Sequence, residues 1–229
     1  MYTLYIANKN YSSWSLRPWV LMKALGIGFE EKLLPFGQSS GAGPQFSTIS
    51  PNGKVPCLVD GDTVVWESIA IFEYLAERHP GVWPADAAAR AWSRSAAAEM
   101  HAGFGRMRDR CTMNVGIRVV LNDMPPALAA DIARMAALWA DGMARFGGPF
   151  LAGPVFSAVD AMFAPIAFRV QSYGILEDAA SAAYVERLLA LDPMQDWQTA
   201  ALEETWREAS HEAEAKATGR WTADLRATT

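Results

Sequence analysis

The sequence predicts a small α/β domain followed by an all-helical one. Strand and helix patterns alternate through residue 80. Two prolines and a glycine then crowd into His79-Pro80-Gly81-Val82-Trp83-Pro84, a break that ends a helix and marks a linker. Beyond it strand signals vanish, and alanine-rich stretches with apolar residues every three or four positions take over. The expected division is therefore 1–80 for the α/β domain, 81–85 for the linker and 86–229 for the helical domain. With 229 residues, 51% of them hydrophobic, the chain can bury a sizeable core.

Each element has its own signal. Thr3 to Asn8 is apolar, β-branched or aromatic and ends in Asn-Lys-Asn, which reads as a strand. Ser15 to Leu25 reads as a helix stopped by Gly26, and Phe29 to Pro35 as a second strand. Gly37 to Pro44 is a Gly/Ser loop, and Phe46 to Ile49 is short and ambiguous. Pro51-Asn52-Gly53 is a turn, Val55 to Asp60 a strand opened by Pro56, and Gly61-Asp62 a hairpin signal that lets Thr63 to Trp66 pair back. Glu67 to His79 is a helix with Ile71, Phe72 and Leu75 on one side. The sum is a small mixed sheet with helices. In the second domain helices are expected over about 85–111, 125–146, 158–172, 181–191 and 193–217; in the second of these Leu128, Ile132, Met135, Trp139, Met143 and Phe146 form one apolar stripe. The end of the chain, from Lys216, reads as small, polar and loosely held, with Trp221 as an anchor.

Composition narrows the function. Twenty basic residues against 25 acidic give a net charge of −5, which leaves no electrostatic footprint for nucleic acid or a membrane surface. No apolar run approaches the roughly 18 residues of a spanning helix. Met1-Tyr2-Thr3-Leu4 has no charged leader region, so no signal peptide is expected. Two distant cysteines, Cys57 and Cys111, argue against a disulfide framework and for a cytoplasmic setting. His79, His101 and His211 are scattered and far from any cysteine spacing that would hold zinc, so no metal is expected.

Three junctions carry chemistry beside a structural reading. Val55 precedes Pro56 directly after a turn, where an outward Val55 N–H and C=O could pair with a peptide as an added strand. Glu67-Ser68 lies between strand and helix; Ser68 is a helix cap, or the free N–H groups take a carboxylate while Glu67 takes an ammonium. Tyr11-Ser12-Ser13-Trp14-Ser15 sits at the carboxyl end of the first strand, where ligands of open α/β sheets collect. There Ser12 or Ser13 is a plain cap or a donor to an anion. Arg17 follows, with a carboxylate partner or solvated. Ser157-Ala-Val-Asp160 is a capping pattern flanked by Phe156 and Ala161 as a hydrophobic staple, and His101 reads as a packed histidine.

Taken together, "SSWSLRPW", "SPNGKVPCLVDG", "WESIAIFEYLAE", "MHAGFGRMRDRCTMN" and "FLAGPVFSAVDAMFAPI" resemble the cytosolic glutathione S-transferases, serine-type, nearest to zeta-like bacterial members. The resemblance covers most of the chain. It implies an N-terminal thioredoxin-like domain with a mixed four-stranded sheet, a C-terminal helical bundle and a homodimer. It implies a cis bond before Pro56, with Val55 holding the cysteinyl backbone of glutathione, Glu67 and Ser68 the γ-glutamyl end and Lys54 approaching the glycyl end. The first-serine role falls on Ser12, with Ser13 as understudy and Tyr5 and Tyr11 as rivals. A serine hydroxyl at a helix start would stabilise the thiolate of bound glutathione, whose free thiol has a pKa of about 8.5. The expected activity is transfer of glutathione to a small, largely apolar electrophile, in a pocket near Tyr11, Trp14, Met100, Phe104 and Met113. The alternatives are an isomerase of the maleylacetoacetate type and a non-catalytic binding module. Trp14 replaces the zeta cysteine, and Ser172 stands where a late arginine of the 158–172 helix is expected, both of which weigh against the isomerase. Serines where thioredoxins carry their cysteine pair exclude disulfide reduction.

Overall fold

In the computed structural model, residues 1–36, 44–176 and 178–226 are described, so most of the expected 37–44 loop lies outside the described residues. Strand β1 (Tyr2–Ile6) leads into helix α1 (Ser13–Ala24), which returns to β2 (Phe29–Leu33), parallel to β1. A one-turn helix, α2 (Pro44–Ser47), stands where the sequence was ambiguous. Strands β3 (Cys57–Asp60) and β4 (Thr63–Trp66) form the expected hairpin, turning at Gly61 with its φ of 58°. The sheet order is β2-β1-β3-β4, with β3 antiparallel to β1. Helix α3 (Ser68–Ala76) follows. This is the thioredoxin-like mixed sheet of four strands.

The remainder is mostly helical. Helices α4 (Ala87–Ala102) and α5 (Gly105–Arg110) replace the single expected helix, because Phe104 between them takes a left-handed conformation with φ 56°. Helix α6 (Pro126–Phe146) starts on a proline and stops at Gly147, whose φ of 81° only glycine adopts freely. Helices α7 (Ala158–Tyr173), α8 (Ala179–Leu189), α9 (Asp192–Glu203) and α10 (Ala209–Thr218) complete the bundle.

Two further expectations fail in this half. The helix expected over 193–217 is two helices, α9 and α10. The all-helical reading is also incomplete, because β5 (Ile117–Leu121) pairs antiparallel with β6 (Gly219–Asp224). Residues 219–224 of the supposed loose end are thus hydrogen-bonded backbone. Five residues of Ile-Arg-Val-Val-Leu are too short a run to stand out beside long helices, and their partner is distant in sequence.

The core explains why α1 and α7 carry so little amphipathic pattern. In α1 nine residues are buried, and in α7 all but Val170 and Gln171 are. A helix covered on all sides needs no polar face. The two helices pack on each other, and one apolar cluster runs from Leu4 and Ile6 through Leu16 and Val20 to Phe163 and Trp139. At the start of α7 the capping box is present, and Asp160 is fully buried. Its carboxylate accepts from Ser157 N–H at 3.0 Å, Leu151 N–H at 3.0 Å and Tyr184 OH at 2.9 Å. It therefore joins three segments as well as capping one. Burial pushes its pKa up to about 6.

Candidate functional site

The turn after β1 is fastened from the far end of the chain. Lys9 N–H and Asn10 N–H donate to the two oxygens of Glu204, at 2.6 and 3.2 Å. Asn10 Nδ2 donates to the Ala201 carbonyl, and Trp197 Nε1 donates to the Lys9 carbonyl at 2.9 Å. Backbone groups that would otherwise be orphaned beside the sheet are thus satisfied by α9 and the residue after it. The turn can present its serines at a fixed place.

Ser12 is the N-cap of α1 and is 4% exposed. Its side chain makes no cap hydrogen bond. Instead Ser12 Oγ donates to Ser15 Oγ at 2.7 Å, and Ser15 Oγ accepts from Ala7 N–H at 3.2 Å. One contact between two hydroxyls uses one of their two protons. Reversing it frees the Ser12 proton for an outside acceptor, with Ser15 donating behind it. Ser12 and Ser13 line a cavity of about 530 Å³ with Tyr11, Trp14, Val55 and Met113. A second cavity of about 270 Å³ adjoins it through Trp14, Lys54 and Val55, and is also lined by Glu67, Asn52 and His101.

Lys54, Val55 and Glu67 of the other sequence candidates converge on the smaller cavity. The Val55–Pro56 bond is cis. Among the described residues the Val55 backbone makes no hydrogen bond, so its N–H and C=O are available at the cavity wall. Glu67 caps α3 with φ 70°, a conformation that costs a non-glycine residue about 1–3 kcal/mol. A short relay holds it: Ser50 Oγ donates to Asn52 Oδ1 at 2.7 Å, and Asn52 Nδ2 donates to Glu67 Oε1 at 3.0 Å. The glutamate remains exposed, and Ser68 behind it is buried with a hydroxyl that finds no partner among the described residues. Ser68 does not itself line either cavity, whereas Lys54, exposed, lines both.

The rivals of Ser12 are placed differently. Tyr11 OH donates to Glu212 Oε1 at 2.6 Å and accepts from Arg226 Nη1 at 3.1 Å. Burial, and then the Glu212 hydrogen bond, push its hydroxyl far above the usual phenol range. Tyr5 packs with Ala7, Phe46 and Val55 and lines neither cavity.

Sequence reasoning missed much of the larger cavity. Met100 and Phe104 belong to the core instead of the lining. The cavity is also less apolar than expected, since Arg108, Arg169, Asp109, His211 and Glu214 line it. Arg17 is neither solvated nor paired to a carboxylate. It is fully buried, donates from Nε to the Met162 carbonyl at 3.0 Å and stacks 4.0 Å from the Trp14 ring, with Nη1 unpartnered among the described residues. Burial, then Arg169 and Arg108, hold its pKa well below the guanidinium norm. Arg169 lies one turn before Ser172, so α7 does bring an arginine to the site. Its Nε donates to the Cys111 carbonyl at 2.7 Å, and burial lowers its pKa to about 10. A cation at position 169 falls on the helix face that the buried Cys111 and Tyr173 occupy, and no sequence period marks that face as a cavity wall.

Residues 11–78 match the family model for the glutathione S-transferase N-terminal domain. This part of the chain is thus similar to glutathione S-transferase N-terminal domains. Among curated proteins, the chain is 29% identical over 140 residues to glutathione S-transferase T1 of Arabidopsis thaliana, which covers 56% of this chain and 57% of the relative. It is 27% identical over 157 residues to a zeta-class glutathione S-transferase of Euphorbia esula, covering 67% of this chain and 70% of the relative. Among solved structures, a maleylacetoacetate isomerase from Methylobacterium extorquens AM1, with bound malonate and glutathione, superposes with a TM-score of 0.63 at 24% identity. That match covers 86% of this chain and 95% of the other, and it shows a shared fold. Both cavities are walled on one side by the part of the chain that matches this family model and on the other by α4, α5 or later elements. Among the described residues no helix is long and apolar enough to cross a membrane.

Proposed function

We propose that the chain is a glutathione transferase that uses Ser12 to hold the thiol of bound glutathione as a thiolate. The observation that carries this is the convergence of three sequence-distant pieces, Ser12, Val55 and Glu67, on two adjoining cavities. The smaller cavity suits the γ-glutamyl end: Glu67 on its wall pairs with the ammonium, and the Ser68 N–H and orphaned hydroxyl, which lie behind that wall, take the carboxylate when the start of α3 turns toward it. The Val55 N–H and C=O pair with the cysteinyl backbone, and Lys54 meets the glycyl carboxylate. This places the sulfur toward Ser12 and the larger cavity. The Ser12 hydroxyl turns to the sulfur, backed by Ser15 and Ala7 N–H, and lowers the thiol pKa. The electrophile then occupies the larger cavity, where the thiolate attacks it. The same reading takes the enzyme as a cytoplasmic homodimer.

One observation favours a second reading. Arg169 and Arg108 line the larger cavity, and burial opposes the charge of each, so an anionic substrate would find cations with little competing hydration. That suits a glutathione-dependent isomerase acting on a small unsaturated acid, as in the maleylacetoacetate type. The test is turnover of a chlorodinitrobenzene and of a cis-unsaturated keto acid with glutathione, beside calorimetric binding of glutathione. Aryl transfer supports the transferase, and isomerisation without it supports the second reading. Tight binding with neither activity makes the chain a binding module, and absence of binding overturns all three.

A further inference from the structure

His211 stands in the first turn of α10 and lines the larger cavity with Ser12 and Trp14. Its Nδ1 lies 2.6 Å from Glu208 Oε2. Glu208 is 2% exposed, and the same carboxylate accepts from the His211 N–H at 2.7 Å and from Ser210 Oγ at 2.8 Å. Burial opposes its charge, but the hydrogen bonds from His211 and Ser210 hold its pKa below the usual carboxylate value. An acceptor-only anion at Nδ1 requires a proton there, which leaves Nε2 as the nitrogen that gains and loses one. Among the described residues Nε2 has no hydrogen-bond partner. The ring is also held flat. It stacks on Phe36 at 5.6 Å and 12°, and lies against Tyr11 at 5.2 Å and 31°. An imidazole oriented by a buried carboxylate, clamped between two rings and turned to a cavity is the arrangement of a proton donor.

We propose that His211 is a catalytic residue that protonates the second substrate, and that the class of substrate which needs it is an α,β-unsaturated carbonyl compound. This rests on the glutathione transferase reading. The sulfur–carbon bond forms at the β-carbon, and the pair of the carbon–carbon double bond moves onto the carbonyl oxygen. As that oxygen becomes negative, the Nε2–H bond breaks and the proton passes to it, giving an enol that becomes the ketone in water. His211 regains a proton from water, which received the thiol proton when the thiolate formed. The net change is addition of a thiol across a double bond. The charged groups around the ring are Glu208 and Glu214 of its own segment, Lys54, Arg108, Asp109 and Arg169 across the cavity, and the Glu212–Arg226 pair behind Tyr11.

Aryl halide substitution expels chloride and needs no proton, so the two substrates separate chemistry from packing. The test compares turnover of benzylideneacetone with that of a chlorodinitrobenzene, for wild type, His211→Phe and Glu208→Gln, across pH. The phenyl ring keeps the stacking but carries no proton. The ratio of enone to aryl halide turnover is expected to fall at least about ten-fold in His211→Phe, and by less in Glu208→Gln. The alkaline decline of enone turnover in the wild type should be absent in His211→Phe. An unchanged ratio in His211→Phe, whether or not both rates fall together, overturns the proposal and leaves the transferase reading standing. A wild type inert toward both substrates overturns the two together.

Discussion

The larger cavity has two walls of opposite construction. One is a turn of consecutive residues, Tyr11 to Trp14, whose serines announce a helix start. The other is α10, which contributes His211 and Glu214 and is backed by Arg226 at the far end of the chain. The first wall is held by backbone hydrogen bonds and by Glu204. The second is held by charge. The Arg226 side chain pairs with both oxygens of Glu212, donates from Nε to Asp224 Oδ1 at 2.7 Å and reaches Tyr11 OH at 3.1 Å. Burial pushes Glu212 upward, but the hydrogen bonds from Arg226 and Tyr11 hold its pKa below the usual carboxylate range. A short polar sequence is therefore ordered by an ion cluster around the buried Arg226, and through Tyr11 the two walls share one network.

Breaking that cluster should have the largest effect. Arg226→Ala leaves the largely buried Glu212 without its cation, Asp224 being exposed, and stability should fall by about 3 kcal/mol. Denaturant unfolding checks the global figure, and limited proteolysis near residue 207 checks whether the second wall detaches first.

Asp160 offers the matching test away from the site. Asp160→Ala should cost about 2–3 kcal/mol, because Leu151, Ser157 and Tyr184 lose a buried acceptor, while glutathione affinity stays constant. Its pH dependence has a definite sign. The folded value, about 6, lies above the unfolded one, so the folded state binds the extra proton. The contribution of this group to stability is fully present below pH 3.8 and is lost as pH rises through 6. Wild type minus Asp160→Asn, measured by thermal melting from pH 4 to 7, isolates it.

On the first wall, Glu67→Ala should weaken glutathione binding by about 1.5–3 kcal/mol, the range for hydrogen bonds to charged groups. Calorimetric titration reads this directly. Lys54→Ala, an exposed cation, should weaken it by no more than about 1 kcal/mol in the same titration.

The same contrast explains what the sequence made legible. Strand β1, the β3–β4 hairpin and helix α3 carry short-range signals of alternation, Gly61 and Ile71-Phe72-Leu75, and the structure agrees with each. The binding candidates Val55, Glu67 and Ser68 sit at turns and helix starts, where local rules apply. Arg169, His211 and Asn52 could not be found that way. Their surroundings come from α5, from Phe36 and Tyr11, and from Ser50 with Glu67, and no local period encodes those meetings. Arg226 misled for a related reason. A charged residue in a polar chain end normally reads as solvated, and only long-range pairing reveals that it is buried. Phe104 broke an expected helix because a left-handed aromatic residue has no sequence mark.

The central claim is that the Ser12 hydroxyl serves the glutathione sulfur as well as standing at a helix start. It is tested most directly by the ultraviolet thiolate absorbance of bound glutathione as a function of pH, in wild type, Ser12→Ala, Ser13→Ala and Tyr11→Phe. The account predicts that Ser12→Ala still binds glutathione but titrates at least about one unit higher, which lowers the thiolate fraction near neutral pH about ten-fold. Ser13→Ala should titrate close to wild type, and so should Tyr11→Phe, since the Tyr11 hydroxyl is already given to Glu212. A Ser12→Ala protein that titrates like wild type would contradict the claim, and a shift carried by Tyr11→Phe would move the role to the tyrosine.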